Sequence, residues 1–163
     1  METEIENLKE EMEKRFSVED RIKFMGCAAG DIIAILGKYL IKTAGYTTTA
    51  RVLLREIRKL GKEKARKVME MFKIEDRSRY NASKILKIVA LFFGLELKKE
   101  NGTYVVKCPY GESVRKSNEP FICKICSEFN QGIVEEVLGP AFKLKRNKYL
   151  LEDGFCDFEV EKK

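Results

Sequence analysis

Four of the five cysteines in this chain, Cys108, Cys123, Cys126 and Cys156, fall within its last 56 residues, and two of them form the C-x2-C of Cys123-Lys124-Ile125-Cys126. Four thiolates gathered at about 2.3 Å around one centre hold zinc in a closed tetrahedral site, which has no position for a catalytic water and is therefore structural. The chain contains no histidine. That excludes a Ser-His-Asp triad, a Cys-His dyad, a histidine-ligated zinc and a haem with a histidine axial ligand. The gaps of fourteen residues before Cys123 and twenty-nine after Cys126 are longer than those of a compact zinc ribbon. Other readings of the same sulfurs therefore stand beside zinc: inert thiols packed as small hydrophobes, a disulfide, a C-x2-C redox pair, or an iron–sulfur cluster, whose ligands are usually spaced more tightly. Cys27 stands apart in a helical segment and suits packing or a cavity wall better than a ligand role.

Periodicity indicates the elements that carry these sulfurs. From Leu95 the period changes from about 3.6 to 2, so Leu95 to Lys99 and Thr103 to Cys108 read as a hairpin around Asn101-Gly102, with Tyr104, Val106 and Cys108 on one face. Residues 121 to 138 read as a helix with Ile122, Ile125, Phe129, Ile133 and Val137 inward, stopped by Gly139-Pro140. Three-residue spacing puts Cys123 and Cys126 at neighbouring inward positions on it. A last hairpin pairs Phe142 to Leu151 with Phe155 to Val160 across Asp153-Gly154, and Cys156, Phe158 and Val160 point the same way. All four sulfurs can then face one layer between helix and sheet.

The first half of the chain reads as helical. Residues 2 to 15 suit a surface or partner-seeking helix, and Ser17 with Asp20 forms a capping box for the next one. That helix runs to about Thr43, holds Ile22, Met25, Ala29, Ile32, Leu36 and Leu40 on one face, and stops at Gly45. Gly26 and Gly30, four apart beside alanines, let another helix or a ligand approach the backbone closely. Thr49 to Leu60 and Lys62 to Phe72, with Gly61 at the turn, match the outline of a helix-turn-helix DNA reader. A polar connection over 74 to 81 leads to an apolar helix from Ala82 to Phe93, ended by Gly94. The element order argues for an α+β fold, with N-terminal helices packed on an antiparallel sheet. An acidic helical extension over residues 1 to 20 precedes a single domain over 21 to 163.

Net charge of +6 conceals an asymmetry: residues 1 to 20 carry −5, residues 51 to 87 carry +8, and residues 88 to 163 balance. The basic block can attract phosphates or nucleic acid, or its charges can be solvated and pair with the acidic N-terminal segment of this or another chain. Charged residues make up 36%, mostly Lys and Glu, a balance seen in heat-adapted proteins with surface ion-pair networks. No stretch reads as a membrane span or a secretory signal. A cytoplasmic, thiol-keeping location is expected, and no membrane insertion.

The chain resembles the 4-vinyl reductase domain family. The residues that carry the likeness are Cys108-Pro109, then Pro120-Phe121-Ile122-Cys123 leading to Phe129-Asn130-Gln131-Gly132-Ile133-Val134-Glu135-Glu136-Val137-Leu138-Gly139, and finally Gly154-Phe155-Cys156-Asp157-Phe158-Glu159-Val160. Gly26-Cys27-Ala28-Ala29-Gly30-Asp31 is similar to that family's glycine-and-alanine helix. The likeness covers about residues 20 to 161. It implies a ligand-binding fold similar to nitric-oxide-sensing haem domains and vesicle-tethering complex subunits, small hydrophobic ligands, and metal-binding cysteines, here Cys108, Cys123 and Cys156, with Cys126 added by its spacing. Relatives often show a further cysteine before the glycine of the last hairpin; this chain has Tyr149-Leu150-Leu151 there, and only Phe155 separates Gly154 from Cys156.

The expectation is thus a dimeric, sensor-like domain that binds a small hydrophobic molecule, with zinc held by Cys108, Cys123, Cys126 and Cys156. Its pocket would lie between the long helix and the sheet, lined by Phe24, Cys27, Ile32, Leu36, Phe92, Phe93 and Phe129. Two other classes compete. One is a nucleic-acid-associated regulator using the basic residues of 51 to 67; the other is an enzyme of tetrapyrrole or small-amide metabolism, for which no acid, base, nucleophile or nucleotide fingerprint is present.

Overall fold

Ser17 caps a helix as its spacing to Asp20 implies. Its hydroxyl accepts the Asp20 N–H at 3.1 Å, and the Asp20 carboxylate accepts the Ser17 N–H at 3.1 Å, so two otherwise unpaired backbone donors are satisfied. The helix that follows is α1, Val18–Ala44. The computed structural model describes residues 10–99, 103–108, 110–111, 113–114 and 121–163. Within them α1 is followed by α2 (Tyr46–Met71), α3 (Arg79–Phe92), β1 (Glu96–Lys99), β2 (Thr103–Lys107), α4 (Phe121–Leu138), β3 (Phe142–Lys148), α5 (Leu150–Asp153) and β4 (Asp157–Lys162). Residues 10–15 are also helical; residues 2–9 of the expected N-terminal helix, the Asn101-Gly102 turn and Pro109 lie outside the described residues. The class is α+β, with helix predominating.

The helix-turn-helix expected around Gly61 does not form. α2 runs unbroken through Gly61, and the glycine serves a helix crossing instead of a turn. A Cβ on Gly61 would stand 2.0 Å from the Phe129 carbonyl oxygen, and one on Gly132 would stand 2.1 Å from the Arg58 carbonyl oxygen. Two helix backbones therefore touch where α2 crosses α4, which only residues without a Cβ permit. Below the crossing the main core gathers Ala65 and Val68 from α2, Ile85 and Val89 from α3, and Ile133 and Val137 from α4. This is the apolar face that the periodicity of residues 121 to 138 placed inward.

The strands form two separate antiparallel hairpins, β1–β2 and β3–β4, instead of the single sheet expected. In the second, Leu144 pairs with Val160 and Arg146 with Phe158. Buried Gln131 of α4 docks this hairpin: its Nε2 donates to the Phe142 carbonyl at 3.1 Å and its Oε1 accepts the Leu144 N–H at 2.7 Å. One side-chain amide thus satisfies backbone groups at the edge of β3 that would otherwise lack partners. The stretch expected as strand up to Leu151 ends at Lys148, because Asp153 pulls the chain into the single turn α5. The Asp153 carboxylate accepts the Tyr149 N–H at 2.8 Å and the Lys148 ammonium at 3.2 Å.

α1 has two unlike faces. Gly26, Gly30, Ala34 and Gly37 are buried, and a Cβ on Gly30 would lie 2.9 Å from both Ser113 Oγ and Tyr110 Cδ1, so this face packs closely on the rest of the chain. The face on the other side carries Val18, Ile22, Met25, Ile32, Leu36 and Tyr39, which are 36% to 69% exposed. The expectation that no stretch has the make-up of a membrane span needs correcting here: α1 is long and apolar enough to cross a bilayer by length and composition, with 24% of its most apolar window buried. The expectation considered runs free of charge, and the charges within α1 are spaced widely enough to leave such a window.

Candidate functional site

The four C-terminal cysteines come from three places in the fold. Cys108 follows β2, Cys123 and Cys126 lie in the first two turns of α4, and Cys156 immediately precedes β4. All four are half-buried free thiols. They are electrostatic neighbours. Burial pushes the Cys126 thiol up to about 12; the Arg146 charge opposes this, and the charges of Cys108, Cys123 and Cys156 add to it. Burial likewise raises Cys108 to about 11, against hydrogen bonding from the Tyr110 and Gly111 backbone and with help from Cys156 and Cys123. The four cysteines thus lie near enough to feel one another's charge in one corner of the fold, without being drawn into a ligand set.

Arg146 closes that corner. Its Nη2 donates to the Cys123 carbonyl at 2.8 Å, and its guanidinium carbon lies 4.9 Å from the ring centres of both Tyr149 and Phe158. Its Nε is buried without a hydrogen-bond partner. Asn130 donates to Cys126 Sγ at 3.6 Å. A cation stacked on two aromatic rings, whose charge reaches the Cys126 thiol, is poised to neutralise thiolate charge there. Sequence reading missed Arg146, although its position two residues from Leu144 on an alternating strand could have placed it on the inward side.

The donor chemistry suits zinc, with four soft sulfurs, no competing imidazole and an adjacent compensating cation. The geometry is looser than a finished site. Among the described residues no group of three or more Cys, Asp or Glu side chains is assembled to hold a metal ion. Protonated thiols have no mutual attraction that would draw them into a tetrahedron; a bound cation supplies it, and releases protons as it does so. Cys126, raised this far, makes a poor nucleophile at neutral pH.

No protein-family model, curated protein or solved structure matches this chain. The likeness to the 4-vinyl reductase domain family accordingly rests on the chain's own residues, and the reading of the site rests on its geometry.

The residues expected to line a pocket are not brought together around one hollow. Phe24, Ile32, Leu36 and Phe92 are 54% to 74% exposed. Cys27 belongs to α1, and its side chain lies outside the described ones. Phe93 and Phe129 do meet, edge to face at 5.6 Å between ring centres, with Tyr110 at 6.3 Å from Phe93. This aromatic group lies at the seam where Gly30 of α1 touches Tyr110. Two open grooves of about 540 and 270 Å³ flank α2, lined by charged residues such as Lys59, Lys62, Arg66, Arg55 and Arg58.

Among the described residues, the basic block of α2 finds acidic partners on α4. Arg58 Nε donates to Glu128 at 2.7 Å, Lys62 reaches Glu135 at 2.9 Å and Arg66 reaches Glu136 at 3.3 Å. Glu135 is the hub: its side chain is 7% exposed and also receives Gln131 Nε2 at 3.0 Å. Burial pushes its carboxyl upward, but hydrogen bonds from Lys62 and Gln131 and the charges of Lys62 and Arg58 outweigh it, and the net direction is down. Much of the positive charge that would attract a polyanion is thereby spent inside the molecule, while Arg51 and Lys67 lie outside this network.

Proposed function

We propose that this chain is a sensor-like domain for a small hydrophobic molecule, in which Cys108, Cys123, Cys126 and Cys156 hold a zinc ion that ties α4 to the ends of both hairpins. What supports the reading is that four free thiols on three separate elements lie near enough to feel one another's charge. A closed thiolate site supplies cross-linking and no open coordination position. Arg146 would neutralise part of the thiolate charge, and its aromatic sandwich would hold it in place. The ligand component rests on the family likeness and on the aromatic group of Phe93, Phe129 and Tyr110.

The raised thiols give the reading a measurable consequence. At neutral pH they are protonated without metal, so zinc uptake must release protons, and apparent affinity must rise with pH. Anaerobically purified protein, examined by native mass spectrometry and elemental analysis, should carry one zinc per chain. Chelation should lower the unfolding midpoint, and zinc but not magnesium should restore it. Reduced protein that carries no zinc, and takes none up at micromolar concentrations, would overturn the metal reading. Absence of any retained or added apolar molecule would overturn the ligand reading independently.

A further inference from the structure

We propose that the outward face of α1 is a self-association surface, covered in solution by the same face of a second copy of this chain. The observation that carries it is spacing combined with exposure. From Val18 to Thr43, the six exposed apolar residues of the outward stripe, with half-buried Ala29 between Met25 and Ile32 and polar Thr43 at the end, fall alternately four and three apart. Steps that average 3.5 keep one seam facing a partner helix along its whole length, which a face serving a chain's own core does not require. The order of steps is the same read from either end, so two identical helices interlock about a two-fold axis with every stripe residue opposite another. The buried side of α1 shows the alternative, with small residues irregularly spaced against Tyr110, Ser113 and Phe121.

The area agrees. α1 exposes nine large apolar side chains, the stripe residues together with Phe24, Ile35 and Leu40 at its margins. At on the order of 100 Å² each they reach the roughly 800 Å² per partner of a standard interface, and exceed the usual largest apolar patch of a monomer. The patch continues beyond the helix, because Gly94 lies against Ile22, and Leu91 and Phe92 beside it are 59% and 58% exposed. Residues 1–9 contribute only Met1, Ile5 and Leu8 as apolar side chains, too few to cover such a face.

A bilayer is the poorer occupant. Asp31, in the middle of α1, accepts the Ser113 hydroxyl at 2.6 Å, Lys38 lies further along the same helix, and the buried face is packed against a chain rich in charge. A spanning α1 would carry these groups into hydrocarbon. A second copy covers the stripe and leaves them where they are.

Analytical ultracentrifugation of the full chain tests the proposal. At tens of micromolar the unaltered protein should sediment at twice 18.9 kDa, and dissociate on dilution. Ile32→Lys together with Leu36→Lys, two changes at exposed positions, should weaken association by roughly 100-fold or more while circular dichroism keeps the helical signal. The dilution series needs no variant, so a misfolded double mutant would not obscure the answer. A chain that stays monomeric at 100 µM on the order-of-magnitude scale of such interfaces would overturn the proposal. So would a well-folded double variant that still dimerises, or flotation of the unaltered protein with phosphatidylcholine vesicles in place of self-association.

Discussion

The α2–α4 seam and the outer face of α1 both belong to long helices, yet one is closed and the other open. At the seam two glycines let the backbones touch, and ion pairs from Arg58, Lys62 and Arg66 to Glu128, Glu135 and Glu136 line its edge. On α1 the glycines are spent on the inward side, and the large side chains look outward. In this chain small residues mark internal helix contacts, and the large residues of α1 mark the surface proposed above for a second copy.

The largest way to break the contrast is to give the seam a Cβ it cannot hold. Gly132→Val or Gly61→Val sets carbon atoms against backbone carbonyls that cannot move independently of their helices, and each should cost at least about 4 kcal/mol in guanidinium unfolding. Gly45→Ala provides the reference. Gly45 has φ 77° and ψ 154°, a conformation that essentially only glycine adopts, with open space around it, so that change should cost about 2–3 kcal/mol through backbone strain alone. If Gly61→Val proved no worse than Gly45→Ala, the seam would not be the tight junction described.

Glu135→Gln should have a smaller effect. It keeps the shape but removes the charge that Lys62 and Arg58 share, and about 1–2 kcal/mol of stability should go with it, since both partners keep some access to water. The sign of the pH dependence follows from the lowered carboxyl. Its contribution is fully present above the ordinary value of 4.5 and is lost as pH falls through the lower folded value. The unaltered protein should therefore lose stability more steeply than the variant as pH falls below about 4.5. Parallel curves for the two proteins would remove Glu135 as the hub of the seam.

Much of this architecture was legible from local chemistry. Ser17 and Asp20 announced their capping box, Gly45 and Gly94 their helix ends, and residues 121 to 138 their inward face, because each signal is complete within a few neighbours. What escaped depends on distant partners. Gly61 looks the same at a turn and at a crossing, and only the arrival of Gly132 seventy-one residues later decides between them. The basic block of α2 was legible as charge, but its partners on α4 were not, since charge patterning along one helix says nothing of which acids fold against it. The elements that carry the four cysteines were legible from alternation and three-residue spacing, whereas Arg146 was not, because its setting comes from Tyr149 and Phe158, whose rings flank it. The apolar residues of α1 were legible as a stripe; periodicity shows that a face exists and leaves open what covers it.

The smallest expected effect lies at the start of α1 and sharpens the contrast between a global seam and a local surface. Ser17→Ala removes the hydroxyl that accepts the Asp20 N–H, and loss of a helix cap costs about 1 kcal/mol. Both capping residues are exposed, so the global unfolding midpoint should move little. Amide exchange should accelerate over the first two turns of α1 and leave α2 and α4 unchanged. Val18 and Ile22 begin the outward stripe within those turns, so self-association should weaken by less than about tenfold, in proportion to a cap's modest free energy. Faster exchange spreading through α4 as well would mean that α1 and the seam unfold as one unit, and the separation between closed interior contact and open partner surface would fail.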